Sequence, residues 1–281
     1  MRLSRSLHSL RQFAQQGARP IVLVPTMGAL HEGHAALIKK ARAVAGRRGS
    51  VVVTIFVNPT QFGPREDLRH YPRTLAVDRR LCAQLGVDLL FAPDIKTMYD
   101  ESHSTFVEEL TLSSRLCGAS RPTHFRGVCT IVLKLFALIQ PDAAIFGRKD
   151  FQQLAVIQRM VRDLNVPVRI VPVETVREPD GLALSSRNRY LSPEERKQAP
   201  TLQKALKMGE RAYLQGERRA SRLRTTMLAI LKTASLARVD YLEIVDGSTL
   251  QLVRSVSKGT VIAVAAYFGS TRLIDNLRIR R

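Results

Sequence analysis

Residues 21–34 read Ile21-Val-Leu-Val-Pro-Thr-Met-Gly-Ala-Leu-His-Glu-Gly-His34, and this stretch decides the fold. The apolar run at its start predicts a buried strand, the glycine-containing segment after it predicts a turn, and a helical pattern follows from His34 to Ala45. The first N–H groups of a helix lack internal partners, and the helix dipole favours anions there. A strand, a turn and two imidazoles at a helix start therefore predict a phosphate site.

Two other interpretations of His31 and His34 remain open. The pair could be ordinary polar residues that cap the helix. A metal site has less support, because no nearby Cys/Asp cluster completes a ligand set around the His31-x-x-His34 spacing. Two histidines three residues apart lie on one face of a helical turn, where both could donate hydrogen bonds to a phosphate.

Strand-like and helix-like segments alternate through the first two-thirds of the chain. The predicted strands are 21–24, 51–57, 89–92, 143–146 and 168–173, and the predicted helices are 34–45, 73–85, 124–139 and 150–164. This alternation predicts an α/β fold with a Rossmann-like parallel sheet and helices on both faces. Ligands of such folds bind at the carboxyl ends of the strands.

The character of the sequence changes after Pro179-Asp-Gly181. Ser192-Pro-Glu-Glu195 has an N-cap serine followed by proline and acids, which predicts a helix start. Two helical stretches follow, broken near Gln215-Gly216, and segments 239–245, 260–268 and 271–277 are typical of a small antiparallel sheet. We therefore predict two domains, residues 1–176 and a smaller C-terminal α+β lid domain, residues 177–281.

The chain carries 44 Lys and Arg against 24 Asp and Glu, a formal charge of +20. Nucleic acid, an anionic membrane or a polyanionic small substrate could attract that charge. No known nucleic-acid motif accompanies it, so specific nucleic-acid binding is not expected. The apolar run 128–139 is broken by Lys134 and is shorter than the ~20 residues that span a bilayer, which predicts no membrane partner.

Two further features concern location and redox state. The basic N-terminus is Arg/Ser-rich like a transit peptide but lacks the apolar core of a secretory signal, and only about 20 residues precede the first predicted strand; we expect a cytoplasmic protein. The three cysteines are an odd number without close pairing, which indicates neither a disulfide framework nor a zinc site. Each is expected to be a small buried hydrophobe: Cys82, Cys117 and Cys129.

Three polar segments follow predicted strands or join the two predicted domains. Asn58 and Gln61 could hydrogen-bond a hydroxyl, a carboxylate or a nucleotide, or form a polar turn. In Gly147-Arg-Lys-Asp150 the lysine is placed to meet phosphate, and the aspartate holds Mg²⁺, caps the helix, or does both. Leu184-Ser-Ser-Arg-Asn188 has two hydroxyls and a guanidinium that suit a triphosphate, or it is a polar linker.

Taken together, these stretches resemble the pantothenate synthetase (pantoate–β-alanine ligase) family. The matching stretches are Pro25-Thr-Met-Gly-Ala-Leu-His-Glu-Gly-His34, Phe56-Val-Asn-Pro-Thr-Gln-Phe62, Tyr71-Pro-Arg-Thr74, Arg121-Pro-Thr-His-Phe-Arg-Gly127, Phe146-Gly-Arg-Lys-Asp-Phe-Gln-Gln153 and Asp180-Gly-Leu-Ala-Leu-Ser-Ser-Arg-Asn188. Asp240-Tyr-Leu-Glu243 and Thr271-Arg-Leu-Ile-Asp-Asn276 extend the match to the C-terminus. One HxGH alone would indicate only the wider nucleotidyltransferase superfamily, whereas several long motifs in order indicate this family.

The resemblance implies an AMP-forming ligase of pantothenate biosynthesis that uses ATP and Mg²⁺. The carboxylate of (R)-pantoate would attack the α-phosphorus of ATP, giving pantoyl adenylate and pyrophosphate. The amine of β-alanine would then displace AMP to form pantothenate. A homodimer is also implied by the resemblance.

The resemblance also implies roles for individual residues. The catalytic residues would be His31, His34, Lys149 and Arg187. ATP would contact Met27, His34, Gly147, Lys149, Asp150, Ser185, Ser186 and Arg187, and pantoate would contact Met27, Asn58, Gln61 and Gln153. Positions lining the site would be Tyr71, Arg121 and His124, and the metal ligands would be Asp78 and Asp150.

Two positions depart from the family pattern. Arg148 stands where the family usually has glutamate, and its charge beside Lys149 either tightens phosphate binding or points into solvent. Val77 stands where a second acid often precedes Asp78, which leaves Asp78 alone at that metal position.

Two other functions remain as alternatives. One is an HxGH adenylyltransferase that transfers AMP onto a phosphate and stops there. The other is a basic nucleic-acid or membrane-surface binding protein without catalysis, which the +20 charge and the basic region Arg187–Asp240 would support.

Overall fold

The computed structural model of the chain describes residues 1–64 and 66–280. Six strands form one sheet: β1 (Arg2–Ser4), β2 (Ile21–Thr26), β3 (Ser50–Ile55), β4 (Leu89–Phe91), β5 (Ala143–Gly147) and β6 (Arg169–Val173). Their order is β1-β4-β3-β2-β5-β6, and every neighbouring pair is parallel. The predicted α/β fold class is confirmed.

Ten α-helices occur among the described residues. They are α1 (Leu7–Gln16), α2 (Glu32–Ala45), α3 (Leu75–Gln84), α4 (Ile95–Met98), α5 (Cys117–Ser120), α6 (His124–Ile139), α7 (Phe151–Asp163), α8 (Pro193–Gln198), α9 (Thr201–Leu214) and α10 (Ala220–Leu231). None of these helices is both long and apolar enough to cross a membrane.

Both faces of the parallel sheet are covered. Leu23 of β2 packs into a core with α1, α6 and α7, whereas its neighbours Val22 and Val24 pack into a second core with α2. Successive strand residues point to opposite faces, so a continuous apolar run such as Ile21–Val24 needs helices on both sides.

The strand order reverses at β2. The chain builds β3 and β4 on one side of β2 and then crosses over to place β5 on the other side, where Val22 and Leu23 pair with Ala143 and Ala144. Open α/β sheets bind ligands outside the carboxyl ends of the strands at such a reversal. The loops after β2 and β5 are therefore the segments that the topology brings together.

The C-terminal part forms a separate antiparallel sheet, with strands β7 (Ala237–Val245), β8 (Val261–Phe268) and β9 (Thr271–Arg278). Helices α9 and α10 pack on it through residues such as Leu206 and Met227. The predicted helix start at Ser192 is confirmed as a capping box, because Ser192 Oγ accepts the Glu195 N–H and the Glu195 carboxylate accepts the Ser192 N–H.

Two predictions about the elements are wrong. Ile21 does not begin the first strand, because the basic N-terminus already forms edge strand β1 and helix α1, whose Leu10 is fully buried. The C-terminal region has three helices instead of two, since the chain breaks between Gln198 and Thr201, at Pro200, as well as at Gly216. All three cysteines are buried and free, as predicted.

Candidate active site

A cleft of about 1460 Å³ lies where the carboxyl ends of β2 and β5 face the C-terminal sheet. Of the sequence-predicted site residues, this cleft brings together Met27, His31, His34, Asn58, Gln61, Tyr71, Arg121, His124, Gly147, Lys149, Asp150, Gln153, Ser185, Ser186 and Arg187. Asp78 is the one predicted residue that does not line it.

The segment Met27–His34, which we call the histidine turn, connects β2 to α2. His31 is the N-cap residue of α2, and its Nδ1 accepts the Gly33 N–H at 3.1 Å. The Nδ1 of His34 accepts the His31 N–H at 3.3 Å. The helix-cap interpretation is therefore correct, and it leaves the anion-site interpretation open because each imidazole has a second nitrogen.

These two hydrogen bonds fix the protonation pattern of both rings. A nitrogen that accepts an N–H carries a lone pair, so each neutral ring carries its proton on Nε2. Burial and the Lys149 ammonium lower the pKa of His31 to about 4, and burial together with His31 lowers the pKa of His34 to about 3. Neither Nε2 has a hydrogen-bond partner among the described residues, so the turn presents two neutral donors.

The carboxylate of Asp78 holds the backbone of the histidine turn by hydrogen bonds. It accepts the N–H groups of Ala29 at 3.0 Å and Leu30 at 2.9 Å, and the hydroxyl of Thr74 at 3.1 Å. The residue is 1% exposed. Gly28 has a φ of +84°, and a Cβ there would lie 2.9 Å from Ile55, so the tight approach needs glycine. This geometry gives Asp78 a structural role.

Lys149 and Asp150 follow β5 beside the histidine turn. Burial lowers the pKa of Lys149, with Asp150 opposing the shift, and the ammonium makes no ion pair with the described residues. Asp150 precedes α7 but makes no side-chain cap hydrogen bond, so the capping interpretation of this residue is wrong. Its exposed carboxylate lines the cleft.

The C-terminal sheet fixes the backbone of this same segment. Asn276 of β9 donates from Nδ2 to the carbonyls of Arg148 at 2.9 Å and Lys149 at 2.8 Å. The Arg148 side chain lies 3.1 Å from a Glu174 carboxylate oxygen and does not line the cleft. Its charge is thus paired with Glu174.

Two bidentate ion pairs, which we call the arginine pairs, form another wall of the cleft. Arg187 donates to Asp67 through Nε at 3.0 Å and Nη2 at 2.9 Å. Arg121 donates to Glu66 through Nε and Nη2, each at 2.6 Å. Bidentate pairs of this kind fix the guanidinium plane. Each arginine keeps further N–H donors for a ligand.

The loop that carries Arg187 is also fixed by its serines. Ser185 caps a 3₁₀ turn by accepting the Arg187 N–H at 3.3 Å, and the Ser186 hydroxyl lies 3.4 Å from the Tyr71 hydroxyl. Burial raises the pKa of Tyr71. Tyr71 also has the Arg187 guanidinium 6.0 Å from its ring centre. The hydroxyls and the guanidinium therefore converge on one end of the cleft.

Gln61 occupies the floor between the histidine turn and the N-terminus of α6. Its side chain accepts the Asn58 Nδ2–H at 3.0 Å and donates to the Met27 sulfur at 3.1 Å. Asn58 is 1% exposed and also donates to the Gly127 carbonyl at 3.0 Å. A Cβ on Gly127 would lie 2.5 Å from the Thr60 carbonyl, so this close approach needs glycine. Asn58 thus positions Gln61.

The two neighbouring glutamines of α7 differ in their surroundings. Gln152 is buried and bonds the backbone of Leu112, Arg115 and Cys117. Gln153 lines the cleft and makes no hydrogen bond with the described part of the chain. Both glutamines line the cleft, but only Gln153 has an amide without a hydrogen-bond partner among the described residues, and its role toward pantoate stays a prediction.

The sequence predicted no role for several residues that line the cleft. Glu66 and Asp67, which hold the two arginines, lie in an ordinary-looking polar loop. Asn276 and Arg272 lie in a matching stretch to which no role was given, and Arg272 pairs with Asp240 at 2.7 Å. The resemblance of residues 271–276 to the family was the available indication for Arg272 and Asn276. No local sequence pattern indicated that Glu66 and Asp67 would hold the two arginines.

The fold and the cleft together define a class: a Rossmann-like nucleotide-binding enzyme with paired HxGH histidines. The comparisons with known proteins narrow this class. A family model described as pantoate-beta-alanine ligase matches residues 2–278. The pantothenate synthetase of Thermotoga neapolitana is 50% identical over 279 residues, which cover 98% of this chain and 99% of the relative. The chain belongs to the pantoate-beta-alanine ligase family.

Solved structures support the same family assignment. A crystal structure of pantothenate synthetase from Thermus thermophilus matches with a TM-score of 0.94 at 47% identity, covering 100% of both chains. A pantoate-beta-alanine ligase from Francisella tularensis, complexed with beta-gamma ATP and beta-alanine, matches with a TM-score of 0.80 at 32% identity, covering 99% of this chain and 97% of that chain.

Proposed function

We propose that the chain condenses (R)-pantoate with β-alanine in two steps through pantoyl adenylate, and that the cleft residues described above perform both steps. The observation that carries the proposal is the pair of neutral Nε2–H donors of His31 and His34 beside the Lys149 ammonium, at the carboxyl ends of adjacent strands. Family membership supports the chemistry, and the residue roles are proposed from the geometry of the cleft.

The first step needs alignment more than it needs a protein nucleophile. The substrate carboxylate is itself the nucleophile, so catalysis depends on holding it in line with the α-phosphorus of ATP. Such alignment supplies roughly 7–11 kcal/mol of barrier reduction. Fixed donors aimed at the charge that develops on the phosphate oxygens supply much of the remainder.

We assign the phosphate contacts to the histidine turn, Lys149 and the serine loop. His31 and His34 donate from Nε2 without changing charge, while Lys149 and Arg187 supply positive charge. Ser185 and Ser186 add hydroxyl donors, and Gly147 and Met27 lie where the nucleotide approaches the strand ends.

We assign pantoate to the floor of the cleft. Gln61 and Gln153 are the amides that face it, and Met27 offers an apolar surface for the dimethyl group. Asn58 acts through Gln61, because its polar atoms already bond Gln61, Gly127 and Thr60. Tyr71 and Arg121 complete the lining.

Mg²⁺ fits this site as an ion that arrives with the triphosphate. No group of three or more His, Cys, Asp or Glu that could hold a metal exists within residues 1–64 and 66–280. Mg²⁺ is commonly held by one or two carboxylates plus phosphate oxygens and water. Asp150 is the carboxylate that suits this role, because its oxygens are exposed on the cleft and uncommitted to a cap, whereas those of Asp78 are occupied. Bound Mg²⁺ would neutralise charge on the leaving pyrophosphate.

Partial reactions test the proposal. Purified protein should catalyse pantoate-dependent exchange of labelled pyrophosphate into ATP without β-alanine, and should release AMP at turnover only when pantoate and β-alanine are both present. An adenylyltransferase that stops after AMP transfer would show no β-alanine-dependent AMP release. Absence of the exchange would reject the adenylate route.

Four further properties remain predictions. We propose a homodimer, which light scattering of the purified protein tests, and a cytoplasmic location, which fractionation tests. We propose that residues 177–281 act as a lid domain over residues 1–176, which scattering profiles with and without ATP test. Specific nucleic-acid binding is not expected, and a salt-independent absence of binding to DNA and RNA would agree with that.

A further inference from the structure

His124 lies at the first turn of α6, on the side of Gln61 away from the histidine turn. Its Nδ1 lies 2.8 Å from the backbone carbonyl oxygen of Gln61. A carbonyl oxygen only accepts hydrogen bonds, so this contact places the ring proton on Nδ1 and leaves a lone pair on Nε2. The Nε2 has no hydrogen-bond partner among the described residues, and the residue lines the cleft.

The surroundings keep this ring neutral. Burial and the neighbouring Arg121 guanidinium lower the pKa of His124 to about 3, with the Gln61 carbonyl and Glu66 acting in the opposite direction. The same Gln61 carbonyl accepts from Arg121 at 3.3 Å. The Nε2 lone pair is therefore available throughout the neutral pH range.

Four histidines line the cleft among the described residues, and three of them, His31, His34 and His124, fall into two kinds. His31 and His34 present Nε2–H donors, whereas His124 presents an Nε2 acceptor. Phosphate oxygens accept hydrogen bonds and cannot use an acceptor. An amine that attacks an acyl carbon carries N–H groups and needs one.

Gln61 connects the His124 ring to the part of the cleft assigned to the acyl group of pantoate. Its side chain lies on the floor of the cleft assigned to pantoate, and its backbone carbonyl holds the His124 ring. One residue therefore sets the distance between the activated acid and the Nε2 lone pair.

We propose that His124 is a catalytic residue of the second step, in which its Nε2 accepts a hydrogen bond from the β-alanine amine and orients the nitrogen lone pair toward the acyl carbon. The proposal rests on the two-step function proposed above. As the C–N bond forms, the C–O bond to AMP breaks and AMP leaves with the electron pair. The nitrogen loses one proton to water as the amide forms, and the ring, whose Nε2 only accepts the hydrogen bond, stays neutral.

The test separates the two half-reactions in a matched pair of variants. His124→Asn retains an amide N–H near the position of Nδ1 to bond the Gln61 carbonyl but lacks Nε2, and His124→Gln places an amide oxygen near the position of Nε2. For His124→Asn we expect pantoate-dependent exchange within threefold of the unmodified protein and at least about a 10²-fold slower conversion of adenylate to pantothenate, the size expected when a reacting group is misaligned. His124→Gln should recover part of that loss. His8→Asn, at an exposed position of α1, controls for loss of a histidine.

Trapping the adenylate with hydroxylamine tests whether the adenylate forms normally in the variant. Hydroxylamine is unprotonated at neutral pH and should capture the adenylate at equal rates in His124→Asn and in the unmodified protein. An equal loss in both half-reactions would overturn the proposal, because His124 would then only support Gln61. Unchanged amide formation in both variants would overturn it as well. Absence of exchange in the unmodified protein would reject the two-step function itself, a separate outcome.

Discussion

The histidine turn and the arginine pairs face the same cleft, but they are built in different ways. The histidines are fixed by backbone N–H groups from their own turn, which leaves their outer nitrogens free and uncharged. The arginines are fixed by Asp67 and Glu66, so their charges are already partly neutralised. The Nε2–H groups of the histidine turn can bind an anion without breaking any existing hydrogen bond. The arginines, in contrast, share their N–H donors between an internal carboxylate and a ligand.

This difference predicts that removing a free donor costs more than changing an internal partner. In the histidine turn no other group can replace a missing Nε2–H. In the arginine pairs the carboxylate competes with the ligand, so its removal has two opposing effects.

The largest effect is expected for His34→Asn. The asparagine oxygen can still accept the His31 N–H, so the cap survives, but the Nε2 donor is lost. We expect turnover to fall about 10²- to 10³-fold, as for the loss of one preorganised donor, with little change in melting temperature. Steady-state kinetics and thermal melting measure the two quantities. His34→Gln, which places an amide near Nε2, is the control and should retain more activity; near-normal turnover of His34→Asn would remove the assigned role.

The second prediction concerns Asp78 and Asp150, which the sequence alone could not separate. Asp78→Asn leaves one buried N–H of the histidine turn without an acceptor, and should lower the free energy of unfolding by about 1–3 kcal/mol. It should leave the Mg²⁺ concentration needed for half-maximal activity unchanged. Asp150→Asn should raise that concentration and leave stability unchanged. The reverse pattern, measured by denaturant melts and Mg²⁺ titration, would give Asp78 the metal role.

The contrast between these two aspartates shows how far the sequence could lead. Strands 21–24 and 143–146 were predictable because long apolar runs need burial on both faces, and their order placed the histidine turn and Lys149 at one edge. The two backbone partners of Asp78 in the histidine turn lie 49 and 48 residues away in the chain, and local sequence contains no signal for such a pairing. The same holds for Glu66 and Asp67, whose arginines lie 55 and 120 residues away.

The N-terminus illustrates a second limit. Strand β1 has three residues at the sheet edge, and the exposed residues of α1 are one histidine, one arginine and three glutamines. Neither element has the long apolar pattern on which prediction depends, so the sequence showed only an Arg/Ser-rich composition like that of a transit peptide. The pairing of β1 with β4 and the packing of Leu10 against the core show that it belongs to the fold.

A smaller effect is expected for Asp67→Asn, which removes the charge that competes with ATP for Arg187. Solvent-exposed ion pairs contribute roughly 0.2–1 kcal/mol, so for this partly exposed pair the KM for ATP should fall about 1.4-fold to fivefold while kcat stays constant. Asp67→Glu keeps the charge and serves as the control, with an unchanged KM expected. A rise in the KM for ATP in Asp67→Asn would mean that Asp67 orients Arg187 for the ligand and does not compete with it.

The smallest expected effect is on the rate of adenylate formation, which should not change with pH. The pKa values of His31 and His34, about 4 and about 3, lie below the ordinary value, so both rings are neutral donors at every pH well above 4. The rate of adenylate formation, measured in a single turnover with saturating Mg-ATP and pantoate, should therefore be constant from pH 6 to 9. Histidines with an ordinary pKa near 6.5 would be only about one-quarter neutral at pH 6, and the rate would change about fourfold over the same range.

The second half-reaction provides the internal comparison for that profile. The β-alanine amine must lose a proton before it attacks, so amide formation at limiting β-alanine should rise from pH 6 to 9 in the same protein preparation. A flat first step beside a rising second step would assign the pH dependence to the substrate amine. A first step whose rate falls from pH 6 to 9 would show that the turn uses ionised histidines, and the distinction between neutral donors and paired charges in this cleft would no longer hold.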